Sequence, residues 1–168
     1  MRILHTSDWH LGRTFGPLSL AADQAAFVDW LVDVCHKEAV DLVVIAGDVY
    51  DRAVAPVDAV VLFRDALTRI VDAGAQVAVI SGNHDAADRV AAYDRLLDRS
   101  GVVVRGGYGR IGDVTRLEFA DGPLDLVLLP YLDPRSAPDE YGVDSTADAG
   151  TLALDVPDAG SGGAPADR

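Results

Sequence analysis

Leu42-Val43-Val44-Ile45-Ala46-Gly47-Asp48-Val49-Tyr50-Asp51 is the stretch that decides the fold. An unbroken apolar run, rich in β-branched residues, leads straight into Gly-Asp. A strand that is apolar on both faces is buried on both, as in a parallel sheet covered by helices. Gly47-Asp48 marks the point where the chain leaves that strand. Asp48 therefore stands at a strand's carboxyl end, where open α/β sheets gather their ligands.

The same grammar recurs on either side. Residues 2–7 read as a short strand that runs into Ser7-Asp8-Trp9-His10, and Val77-Ala78-Val79-Ile80 precedes Gly82-Asn83-His84-Asp85. Between the first two strands, Leu20 to Glu38 carries Phe27, Trp30, Leu31 and Val34 at helical spacing. Between the second and third, Pro56 suits a first helical position. Val60, Phe63, Leu67, Ile70 and Val71 form an apolar stripe, and Gly74 marks the helix end. The stripe is core first and a dimer interface second. Val90 to Arg99 reads as a further helix stopped near Gly101. The result is an α/β fold, β-α-β-α-β-α, with a mostly parallel sheet and flanking helices.

The pattern then changes. Val102-Val103-Val104 is a short strand, and 114–119 with 124–129 flank the turn signal Asp121-Gly122-Pro123, which predicts an antiparallel pair. Residues 1–133 are expected to form the domain. Residues 134–168, rich in Asp, Ala, Gly, Ser and Pro, are expected to be a disordered tail or a variable loop.

Composition sets limits without choosing a substrate. A chain of 168 residues can bury one core. The single cysteine, Cys35, excludes an internal disulfide framework and suits a reducing cytoplasm as a buried thiol. The opening residues lead to no expectation of a signal peptide, and no apolar run is long enough to span a bilayer. The net charge of −13 argues at first against a nucleic-acid partner. From Asp133 onward, however, eight acids face two bases, so much of the excess lies in the tail. Bound divalent cations would also reverse the field around Asp8, Asp48, Asp51 and Asp85.

The three motifs carry chemistry together. Asp8 and His10, two residues apart in a turn, can point at one ion. Asp48 has two oxygens and can bridge two, while Asn83 offers an amide oxygen and His84 an imidazole. This donor mixture suits Mn²⁺, Mg²⁺, Fe or Zn²⁺. Two such ions ~3.5–4 Å apart can generate hydroxide and clamp an in-line displacement at phosphorus. Each run alone is weak. All three in order, after successive strands, read as a metal-assisted phosphoester hydrolase.

These runs, with the longer opening Met1 to Gly12 and the later Leu129-Pro130-Tyr131-Leu132, resemble the calcineurin-like metallophosphoesterase superfamily. Within it they resemble the SbcD-type nuclease subunits, from residue 1 to about Pro134. The resemblance implies an αββα sandwich, of which this chain would be the first half. It implies two divalent metals, usually Mn²⁺, and DNA as substrate. The implied activities are 3′→5′ exonuclease action on duplex ends and endonuclease action on hairpins and single strands, in DNA recombination, replication and repair. The implied partners are an SbcC-type ATPase subunit and a second copy of the chain. Asp8 and His10 would hold one metal, Asp48 would bridge, and Asn83 would hold the other. His84 would face the phosphate as the catalytic group, with Asp85 fixing its tautomer, and Asp51 would line the site.

The family supplies later histidines, one alone and then a Gly-His-x-His pair, whereas the last histidine here is His84. The second metal would then have few of its usual ~6 ligands. The isolated chain is expected to be the front portion of such an enzyme, inactive alone and partly bare on one sheet face. Another phosphoesterase, or a non-catalytic binding fragment, stands as the alternative.

The remaining candidates keep two readings each. Trp9 either stacks on a base or packs against neighbouring loops. Arg13, Arg52 and Arg89 either contact phosphates or lie in solvent. His5 is expected in the core or behind a ligand, and His36 exposed at a helix end.

Overall fold

The computed structural model describes residues 1–139. Its elements are β1 (Ile3–Thr6), β2 (Thr14–Phe15), β3 (Leu18–Ser19), α1 (Ala21–Glu38), β4 (Leu42–Ala46), α2 (Val57–Asp72) and β5 (Gln76–Ile80). Then come α3 (Ala87–Val90), α4 (Asp94–Leu97), β6 (Val102–Arg105), β7 (Val114–Phe119) and β8 (Gly122–Val127). Strands β1, β4, β5 and β6 form one parallel sheet in the order β1-β4-β5-β6. Leu42 pairs with Ile3 on one side and Gln76 on the other, and Val77 pairs with Val102.

Burial explains the arrangement. On one face, Val43, Ile45, Val77, Val79 and Val104 pack under Val28, Leu31 and Cys35 of α1 and Phe63, Ala66 and Ile70 of α2. On the other, Leu42, Ala78 and Val103 meet Leu117 of β7 and Leu128, which follows β8. The antiparallel β7–β8 hairpin is thus the start of a second layer. It turns through Ala120-Asp121, with Phe119 paired to Gly122. Coverage is uneven: Ala78 and Val103 are buried, whereas Ile3 on the edge strand β1 is 48% exposed. The second face is therefore open mainly along β1.

Three expectations need correction. The helix foreseen over Val90–Arg99 is broken into α3, α4 and a 3₁₀ turn at Asp98–Ser100. No residue in those pieces is fully buried, so no apolar stripe enforces one continuous helix. They are tied instead by ion pairs from Arg110 to Asp94 and Asp98, and from Arg105 to Asp98. Trp30 is 59% exposed, because Val28, Leu31, Val32 and Cys35 supply the buried face of α1. His5 is exposed on β1 and not in the core. His36 is exposed near the end of α1, as expected. Of the foreseen tail, Pro134–Ser136 forms a short 3₁₀ turn, and residues 140–168 lie outside the described residues.

Candidate metal centre

Three non-glycine residues of the motifs adopt left-handed backbone: Asp8 (φ 57°), His10 (φ 44°) and Asp48 (φ 50°). Such conformations are costly for residues with a Cβ and persist only where surrounding contacts hold them. Here the contacts extend the β1–β4 pairing past the sheet. The amide of Asp8 donates to the Gly47 carbonyl (3.1 Å), His10 to Asp48 (3.0 Å) and Leu11 to Val49 (2.9 Å). The Asp51 amide donates back to Leu11 (3.2 Å). The loop after β5 is pressed against them. A Cβ added at Gly82 would lie 2.0 Å from Asp48 Oδ1 and 2.3 Å from the Asp48 nitrogen. Only glycine fits that approach.

The loops bring three donors together. One ligand atom each from His10, Asp48 and His84 lies within 4.8 Å of the others. His10 Nε2 is 3.8 Å from both Asp8 Oδ1 and Asp48 Oδ2, and the Asp48 side chain is only 13% exposed. These gaps are too long for hydrogen bonds. His10 Nδ1 is buried without a hydrogen bond, 3.6 Å from Asp51 Oδ1. The His10 and His84 rings meet edge to face with centroids 4.8 Å apart. A gathering of imidazoles and carboxylates that do not bond one another suits a hard or borderline divalent cation. The residues present fit the metal that this donor set calls for.

Residues 1–138 match the model of the calcineurin-like phosphoesterase family. The chain belongs to that family. It is also similar to the SbcD subunit of the nuclease SbcCD from Escherichia coli (strain K12), 34% identical over 137 residues, covering 80% of this chain and 34% of the relative. The corresponding nuclease subunit from Bacillus subtilis (strain 168) is 40% identical over 107 residues, 63% of this chain and 27% of the relative. The chain thus spans about a third of the length of the curated relatives it matches.

Within this calcineurin-like phosphoesterase site the remaining residues divide. Asp85 does not reach the His84 ring. Its carboxylate accepts from the amides of Val49 (3.1 Å), Tyr50 (2.9 Å) and Gly82 (2.8 Å), so it ties the loops after β4 and β5 together. The His84 ring nitrogen Nδ1 donates instead to the Asp51 carbonyl (3.0 Å), which leaves Nε2 as the ring nitrogen open to the site. Asp48 Oδ1 accepts from the His84 amide (3.0 Å). Burial, and then the charge of Asp85, push the Tyr50 phenol up to about 12, so it stays neutral behind the loop.

Asp51 sits 3.5 Å from Arg13 and 3.6 Å from Arg52, both largely exposed. Asn83 is exposed and lines a cavity of about 350 Å³ together with Asp85, Arg89, Tyr108 and Tyr131. Of its two readings, Trp9 takes the packing one and does not line the site: it is 6% exposed. Its ring lies edge to face on Phe27 and Phe63, and Nε1 donates to Thr6 Oγ1 (3.0 Å). Two contributors escaped the sequence reading. Gly82 stands out in the sequence only as part of a motif, although its lack of a side chain admits Asp48. Gln24, inside a helical pattern with no motif around it, reaches the His10 loop.

Proposed function

We propose that this chain is the amino-terminal portion of an SbcD-type, metal-dependent DNA nuclease. The observation that carries this is the convergence of His10, Asp48 and His84 from three neighbouring strand ends, with Asp8 beside them. The names of the similar proteins support the nuclease reading over other phosphoesters. The two cations are proposed to be Mn²⁺. The actions are 3′→5′ exonuclease on duplex ends and endonuclease on hairpins and single strands, in DNA recombination, replication and repair. An SbcC-type ATPase subunit and a second copy of the chain are the proposed partners, in the cytoplasm.

Asp8, His10, Asp48 and Asn83 would hold the metals, which supply charge neutralisation and a nucleophilic hydroxide when bound. The chain's own work is to fix and protonate. Asp48 presents Oδ2 inward while Oδ1 is held by the His84 amide. His84, with Nδ1 committed to the Asp51 carbonyl, has Nε2 left to carry a proton to the leaving oxygen. Arg13 and Arg52 flank Asp51 and can contact phosphates along the strand. Asn83 and Arg89 line the adjoining cavity.

The 168 residues hold no histidine beyond His84. We therefore expect this polypeptide alone to bind Mn²⁺ weakly, at roughly one site, and not to turn over. The activity test uses a version extended through the family's later histidines, with linear duplex DNA and a mononucleotide ester as substrates. Mn²⁺-dependent duplex degradation, lost in Asp48→Asn, is the expected result. Cleavage of the ester alone would replace the nuclease with another phosphoesterase.

A further inference from the structure

We infer that Gln24, in the first turn of α1, is a positioning residue for the metal centre, its side-chain amide holding the left-handed turn that presents His10. The inference rests on the metal reading proposed above, but its geometry stands on its own. Gln24 Oε1 accepts from the Gly12 amide (3.0 Å), and Nε2 donates to the His10 carbonyl (2.7 Å) and, at longer range, to the Trp9 carbonyl (3.4 Å). One side chain thus engages both ends of the turn.

The turn needs that help. His10 (φ 44°) and Gly12 (φ 86°) both lie in the left-handed region, with Leu11 between them. A residue with a Cβ held there relaxes unless its neighbours prevent it. The His10 amide and the Leu11 amide are fixed by the β4 loop. The Gly12 amide and the His10 carbonyl, which also accepts from the Arg13 amide (3.1 Å), are joined across the turn by the Gln24 side chain.

Gln24 is itself fixed. Its amide donates to the Leu20 carbonyl (2.9 Å), and the helix that carries it is anchored in the core by Val28 and Leu31. The opposite flank of the turn is also blocked, since a Cβ at Gly12 would lie 2.9 Å from Pro56 Cδ. The turn is therefore held between α1 and the start of α2. The His10 ring inherits its aim towards Asp48 and His84 from that grip. Gln24 touches no reacting group and acts only through the His10 backbone.

The test uses the 168-residue protein with Mn²⁺ as probe. Gln24→Met keeps the length of the side chain and removes all three hydrogen bonds. Outer partners of metal ligands are typically worth about 10–100-fold in metal affinity, and that loss is expected by calorimetry or by Mn²⁺ electron paramagnetic resonance. In the metal-free protein, the Gly12 amide should exchange with solvent about tenfold faster. Val28→Ala is the control for destabilisation without a contact to the turn. It should lower the melting temperature while keeping Mn²⁺ affinity within about twofold of the parent. Parent-like Mn²⁺ binding by Gln24→Met overturns the inference, and so does an equal loss in Val28→Ala. If the unsubstituted protein binds no Mn²⁺, the metal reading of the site fails instead. Gly12 exchange then still decides whether Gln24 holds the turn.

Discussion

At Gly82 the requirement is spatial and severe. The Asp48 carboxylate and backbone occupy the volume in which any other residue would place its Cβ. Gly82→Ala should therefore push the β4 and β5 loops apart, costing roughly 1–3 kcal/mol as other overpacked sites do. Denaturant melts measure the cost, and Mn²⁺ titration should show weakened binding in the same variant. Asp85 is the complementary case, a carboxylate that receives three backbone amides across two loops. Asp85→Asn puts an amide nitrogen where an acceptor is needed and strands at least one N–H. A loss of about 1–3 kcal/mol follows, together with faster exchange at Val49 or Tyr50. A variant as stable as the parent, with unchanged exchange, would show that the carboxylate holds nothing. At this scale the sequence was legible for type and position but not for direction. Asp-x-His and Gly-Asn-His-Asp place donors at strand ends. Nothing in the residue order says that Trp9 turns into the core, or that Asp85 serves backbone amides and not the His84 ring.

Long periodic elements were legible because burial enforces their period. The stripe of α2 faces the sheet through Phe63, Ala66 and Ile70, and β4 is buried on both faces. The stretch from Ala87 to Ser100 lacks that enforcement, and its shape depends on charges whose partners lie later in the chain. Asp98 accepts hydrogen bonds from Arg105 (2.9 and 3.3 Å) and Arg110 (3.0 Å). Arg105, only 3% exposed, also donates to Thr115 of β7 (2.9 Å) and so ties this stretch to the hairpin. Burial opposes ionisation of Asp98, but the hydrogen bonds and charges of the two arginines outweigh it and hold its carboxyl below the usual range. A lowered folded-state value means stability that is fully present above the ordinary carboxylate pKa of about 3.9 and lost as pH falls through the folded value. Asp98→Asn should destabilise the protein by about 3 kcal/mol at neutral pH, because it leaves Arg105 buried without its anion. The deficit should shrink below about pH 4, where the unfolded parent takes up a proton at Asp98 before the folded one does. Urea melts at pH 7 and pH 3 test this; an equal deficit at both would show that the ion pair is not the cause.

The edge strand β1 is the element the hairpin leaves bare. Ile3 is 48% exposed, and His5 stands beyond it on the same face. Exposed strand edges with apolar side chains invite pairing with other chains, and a charge on the edge blocks it. Ile3→Lys should reduce concentration-dependent light scattering while moving stability by no more than about 0.5 kcal/mol. Unchanged scattering would point to another surface.

Over the whole molecule the charge problem and the metal problem are one. The chain carries a net charge of −13, and Asp8, Asp48, Asp51 and Asp85 crowd the ends of three adjacent strands. Arg13 and Arg52 offset only Asp51 among these, and both are largely solvated. Like charges gathered at one end oppose the compact state, and a divalent cation between them removes that opposition. Binding to the folded form alone adds stability as RT ln(1 + [M]/Kd), about 2.7 kcal/mol at a hundredfold excess over Kd. Mn²⁺ should therefore raise the melting temperature in a saturable way, and a chelator should return it to the metal-free value. Sodium chloride at matched ionic strength should give a smaller, unsaturated rise, since screening reaches exposed charges best. In His10→Ala with Asp48→Asn, the saturable part should vanish and the salt-like part remain. If Mn²⁺ still stabilised that double variant as much as the parent, the cation would be acting on the acidic surface at large, and the three loops would not form a common centre.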